Sequence, residues 1–145
     1  MPLLLVAAFF LAGTGIAADA EGPVCGDALV VASISDATTL VPIMASDTAS
    51  ADVCSMIFNG LVKYDKTVSI VGDLAERWDI LDGGLAIVFH LRKGVRWHDG
   101  APFTARDVAF TYHKLIDPSV RTPYSGDFER VRSVEIIDDH TVKVT

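Results

Sequence analysis

Apolar and polar positions alternate with two different periods along this chain, and the change of period marks its elements. Leu85, Ile87, Phe89 and Leu91 alternate with Ala86, Val88, His90 and Arg92. That period of two predicts a strand buried mainly on one face. Lys93-Gly94 then permits a reversal, Val95 to His98 predicts a short second strand, and Asp99-Gly100 is a strong two-residue turn signal. Beyond the turn the spacing becomes three and four. Ala105, Val108, Ala109, Tyr112, Leu115 and Ile116 would share one face of a helix. Thr104 suits its N-cap and Asp107 the far half of a capping box, with Phe103 and Val108 as a hydrophobic staple. Asp117-Pro118 ends it.

The remaining pattern predicts a chain of short elements. Ala28 to Ile34 is a β-rich run, followed by a polar loop, Ser35 to Thr39, and then Leu40-Val41-Pro42. Ser46 or Asp47 can cap a helix reaching about Phe58, with Ala49, Val53, Met56 and Ile57 inward. Leu61 to Tyr64 reads as a strand, Asp65-Lys66 as its turn and Val68 to Val71 as a return. Leu74 to Ile80 is a further strand with Leu74, Trp78 and Ile80 on one face, and Asp82-Gly83-Gly84 turns it into the strand first described. After Pro118 comes a loop, then a short helix or extended link at Phe128 to Arg132. Val134 to Ile137 and Thr141 to Val144 make a hairpin about Asp138-Asp139-His140. The fold class is α/β, a small mixed sheet with flanking helices.

The first eighteen residues change the picture of where the protein works. Met1 to Ala18 carries no charged side chain, Leu3 to Leu11 is compactly apolar, and Gly13-Thr14-Gly15 interrupts it. Gly15-Ile16-Ala17 and Ala18-Asp19-Ala20 offer small-x-small cleavage patterns. The expectation is a signal peptide over residues 1–20 rather than a membrane helix, although no Lys or Arg precedes the apolar run. Cys25 follows Gly22-Pro23-Val24, unlike a lipoprotein cysteine, so a diffusible exported protein is expected. Export leaves a Cys25–Cys54 disulfide open; it would contribute about 3 kcal/mol if geometry allowed, and a buried free Cys54 is the alternative. A net charge of −7, from 12 basic and 19 acidic residues, argues against a nucleic-acid partner.

Candidate chemistry is sparse. His90 and His98 lie on segments that could be adjacent, which allows an exported metal-dependent hydrolase as an alternative. However, no H-x3-H, H-E-x-x-H or C-x-x-C spacing completes a metal site. There is no G-x-S-x-G elbow and no phosphate-binding G-x-x-x-x-G-K-[ST] loop. Asp138-Asp139 reads as turn chemistry rather than a catalytic pair. No catalytic residue, metal ligand or cofactor is assigned. The polar loop Ser35 to Thr39 is the stretch where exposed amides and hydroxyls could meet a ligand; an ordinary strand-to-helix connection is the competing reading.

Phe89 to Val108 resembles the signature region of the bacterial extracellular solute-binding proteins of family 5, which include dipeptide- and oligopeptide-binding proteins. Phe58-Asn59-Gly60-Leu61-Val62, Gly72 to Trp78 and Ile137 to Val142 are similar to further family segments, in the same order. The resemblance implies the amino-terminal portion of a two-lobed, type II periplasmic-binding-protein fold. Residues 21–44 would be the first strand and ligand-facing loop of lobe I. Residues 45–145 would be a subdomain of that lobe, incomplete at its C-terminal end. It implies a monomeric periplasmic protein that captures a peptide and delivers it to the inner-membrane permease of an ATP-driven (ABC) importer. Nickel chelates, haem, sugars and opines are the alternative solutes. It points to Asp36, Ala37 and Thr38 as ligand-binding residues, although Leu40-Val41-Pro42 departs from the family's Leu-Asp-Pro.

Overall fold

The computed structural model describes Val30 and residues 32–145. The expected leader and Cys25 lie outside the described residues, and so do Ala28, Leu29 and Val31 of the expected first strand. Its described members, Val30, Ala32, Ser33 and Ile34, form no strand, and Ile34 is fully exposed. Strand conformation is kept only where a neighbouring ladder takes up the backbone N–H and C=O groups, and no described strand pairs with them.

Ser33–Thr145 forms one unit. Helix α1, Thr48–Ile57, is followed by the hairpin of β1, Val62–Tyr64, and β2, Ile70–Gly72. Strands β3, Ala75–Leu81, and β4, Ala86–Leu91, then helix α2, Ala105–Ile116, lead to the four-residue helix α3, Ser125–Phe128. Strands β5, Val134–Asp138, and β6, Thr141–Val144, close a four-stranded sheet of order β3-β4-β6-β5. Every described pairing is antiparallel. A mixed sheet was expected; here hairpins join β3 to β4 and β5 to β6, and a short connection can join only antiparallel neighbours.

The register explains the alternation in the sequence. Trp78 pairs with Phe89, Phe89 with Val142, and Val142 with Ile136, so one row crosses all four strands. Arg77, His90, Thr141 and Asp138 make the next row, on the opposite face. Helix α2 packs against β5 and β6 on the apolar face. Ala75, Phe89, Leu91, Phe103, Ala105, Val108 and Val142 form the buried core. The capping box is present: Thr104 Oγ1 accepts from the Arg106 amide at 3.3 Å, and the Thr104 amide donates to Asp107 Oδ2 at 2.7 Å. The two staple residues, Phe103 and Val108, are both buried.

Several local expectations are corrected. Val95 to His98 is no strand: one isolated bridge, Arg96 to Pro102, stands in its place. Only four residues, Val95 to His98, separate the Lys93-Gly94 turn from the Asp99-Gly100 reversal, where Gly100 takes φ 87°, too few for a ladder. Leu85 and Ile80 are exposed: Leu85 follows the β3–β4 turn, Ile80 sits near that end of the ladder opposite Ile87, and α2 packs against β5 and β6 instead. Trp78 is half-buried and Trp97 exposed, touching Phe103 edge-on at 5.9 Å. The short helix lies at Ser125–Phe128, earlier than the Phe128 to Arg132 link. Gly72 answers a steric need: a Cβ there would lie 2.4 Å from the Ala75 carbonyl oxygen.

Candidate functional site

The loop before α1 is built by hydrogen bonds rather than by packing. Asp47 caps α1, its Oδ1 accepting from the Ser50 amide at 2.8 Å. Its other oxygen, Oδ2, accepts from the Ser50 hydroxyl and from the Thr38 hydroxyl, both at 2.7 Å. Ser50 is fully buried, and its Oγ accepts the amides of Thr38 at 2.9 Å and Thr39 at 3.1 Å. The hydroxyl of Thr39 accepts the Val41 amide at 3.1 Å. The Thr38 hydroxyl, then the Ser50 amide and hydroxyl, hold the Asp47 carboxyl well below the usual carboxylate range, at about 2.

The loop's far end is held from a distant part of the chain. Pro42–Met44 forms a 3-10 turn. Thr122, buried in the α2–α3 connection, donates its hydroxyl to the Ile43 carbonyl at 2.6 Å, and Tyr124 donates to the Ala45 carbonyl at 2.6 Å. Met44, Leu115, Ile116, Val120 and Phe128 line an open hollow of about 940 Å³ at this end. None of Asp36, Ala37 or Thr38 lines it.

Of these three residues, Asp36 is exposed and Ala37 half-buried, and among the described residues no hydrogen bond engages their main chain. Thr38 is different, since its amide and hydroxyl are both taken up by the start of α1, at Ser50 and Asp47. Sequence reasoning singled out Asp47 only as a cap and did not find Ser50. Its signal was a polar residue at the third helical position, where a capping box carries Glu or Gln. Thr122 and Tyr124 gave no signal, being 79 residues from their partners.

Phe58 to Val62, Gly72 to Trp78 and the Phe89–Val108 run thus sit in one folded unit, in the order the resemblance requires. A family model described as "Bacterial extracellular solute-binding proteins, family 5 Middle" matches residues 69–145, just over half of the chain. The chain belongs to that family. The oligopeptide-binding protein AppA of Bacillus subtilis is 37% identical over 120 residues, covering 83% of this chain and 22% of AppA. The probable deoxycholate-binding periplasmic protein YgiS of Escherichia coli is 39% identical over 92 residues, 63% of this chain and 17% of YgiS. AppA solved with a nonapeptide superimposes with a TM-score of 0.75 at 34% identity, over 78% of this chain and 22% of that one. NikZ of Campylobacter jejuni, solved with Ni(L-His), gives 0.70 at 33% identity, over 77% and 22%. This chain therefore spans about a fifth of the length of these relatives, with the fold of part of a two-lobed periplasmic binding protein.

The alternative built on His90 and His98 is not supported. The neighbours of β4 are β3 and β6, so His90 meets Asp79, with Nε2 2.8 Å from Oδ2, while His98 sits on the exposed Trp97–Gly100 turn. That imidazole contact holds the Asp79 carboxyl below its ordinary range. Among the described residues no three His, Cys, Asp or Glu side chains gather as a metal site. Cys54 is buried on α1. No described helix is long and apolar enough to cross a membrane.

Proposed function

We propose that the complete gene product is the solute-binding component of an ATP-driven importer. Residues 1–20 direct its export, and the diffusible protein captures peptides in the periplasm and passes them to an inner-membrane permease. It is a binder, not an enzyme. The carrying observation is the Asp36–Thr38 loop. Its base is fastened through Thr38 and Thr39, while among the described residues nothing engages the main chain of Asp36 and Ala37, which leaves it for a ligand. Main-chain pairing of this kind suits peptides of varied sequence, because it addresses the backbone common to all of them. AppA, solved with a nonapeptide, supports the same reading. A second reading keeps the fold and the loop but changes the solute, and is favoured by the similarity to YgiS and NikZ.

Thermal-shift titration of the complete gene product separates the two. Trialanine and a mixed nonapeptide library are compared with deoxycholate and a nickel–histidine chelate. A true ligand at 100 times its dissociation constant adds about 2.7 kcal/mol of stability. Peptides are expected to raise the melting temperature. A shift with deoxycholate or nickel–histidine, and none with peptides, overturns the peptide assignment.

A further inference from the structure

We propose that Asp47 and Ser50 are positioning residues for ligand capture, and that their bonds to the loop, not the capping of α1, are what binding depends on. The inference rests on the reading of Asp36–Thr38 as ligand-facing. A serine hydroxyl offers one proton and two lone pairs. At Ser50 both acceptor directions are taken by loop amides, Thr38 at 2.9 Å and Thr39 at 3.1 Å. Its proton is left for an acceptor: Asp47 Oδ2 lies at 2.7 Å and the Thr38 hydroxyl oxygen at 3.3 Å, and the shorter, charged partner takes it. The same oxygen takes the Thr38 hydroxyl proton at 2.7 Å. One carboxylate oxygen thus fixes both hydroxyls, and Ser50 fixes two consecutive amides. The other oxygen, Oδ1, serves the helix alone, through the Ser50 amide.

This division of labour makes the two roles separable. Asn caps a helix as well as Asp. In Asp47→Asn the oxygen can remain on the Ser50 amide while an NH2 replaces Oδ2. That NH2 would face two hydroxyls, leaving the Thr38 proton without its carboxylate and the Ser50 proton with only the Thr38 oxygen, 3.3 Å away. Capping is retained and the clasp is broken. A loop that has lost its clasp populates its binding conformation for a smaller fraction of the time, which weakens apparent affinity by that fraction.

The test uses the complete gene product as wild type, Asp47→Asn, Ser50→Ala and Thr104→Ala, the last weakening a helix cap remote from the loop. Amide hydrogen exchange is followed by mass spectrometry in the peptide covering residues 36–41. Affinity is measured with trialanine, or with deoxycholate or nickel–histidine if one of those is the solute that binds. Asp47→Asn and Ser50→Ala are expected to speed exchange at Thr38 and Thr39 by about tenfold and to weaken binding roughly fivefold or more. Thr104→Ala should change neither. Unchanged exchange in Asp47→Asn and Ser50→Ala overturns the clasp. Faster exchange with unchanged affinity overturns its role in capture. Equal effects of Thr104→Ala would show global loosening and also overturn it. If no solute binds the wild type, the ligand-facing reading fails and the role in capture fails with it, while the exchange rates, which need no ligand, still judge the clasp.

Discussion

The sheet with α2 and the loop with α1 belong to one unit but are held by different forces. In the first, Phe89, Leu91, Val108 and Val142 are buried together, and a row of apolar side chains crosses all four strands. In the second, α1 buries only Ala49, Ser50 and Cys54, none of them large, while Met56 is exposed. Hydrogen bonds from Asp47, Ser50, Thr122 and Tyr124 do there what apolar area does in the sheet. The difference fits the work. Burial is non-directional and tolerates small shifts, whereas hydrogen bonds fix a backbone to within fractions of an ångström. A segment that must present amides and carbonyls to a ligand gains more from the second.

The contrast can be broken by measurement. Phe89→Ala should have the largest effect, about 3–5 kcal/mol in urea denaturation, since it opens a cavity between β3, β6 and α2. A loss below about 1 kcal/mol would mean that the sheet is not held by this core. Thr122→Val removes a buried hydroxyl and leaves the Ile43 carbonyl without that donor, at a cost of about 1–3 kcal/mol. If this substitution proves neutral, the polar half owes little to its long-range latch. Thr104→Ala should cost about 1 kcal/mol, and Thr104→Ser should restore most of it.

The smallest effect is a pH signature. The carboxyl of Asp47 is held at about 2 against an ordinary 3.8. A carboxyl lowered by folding adds stability above the ordinary value, and that contribution disappears as pH falls from 3.8 through about 2. Melting temperature plotted against pH should therefore fall less steeply for Asp47→Asn than for wild type across that interval. Parallel curves would show that the carboxylate is not holding the loop.

Legibility in the sequence divides along the same line. α2 could be read residue by residue: its cap, capping box, buried face and stop at Asp117 all lie within one short stretch, and the structure has them. The β5–β6 hairpin and the β3–β4 pair were equally local, fixed by alternation and by turn residues. Misreadings arose where alternation ran past the area that α2 covers, as at Ile80 and Leu85. They also arose where a short apolar run had no partner ladder, as at Val95 to His98. At the loop, the family resemblance pointed to Asp36, Ala37 and Thr38, but could not tell that Thr38 spends its amide and hydroxyl on Ser50 and Asp47.

By itself, then, the amino-acid order determined most of the element types and limits and the helix cap, because these depend on neighbours within about one turn or one hairpin. Only the tertiary structure decided which apolar residues are covered and what holds the loop. Those outcomes require groups far apart in the chain to meet: Ser50 with Thr38, and Thr122 with Ile43. Local propensity carries no record of a partner 79 residues away; only the packed fold brings it within 2.6 Å.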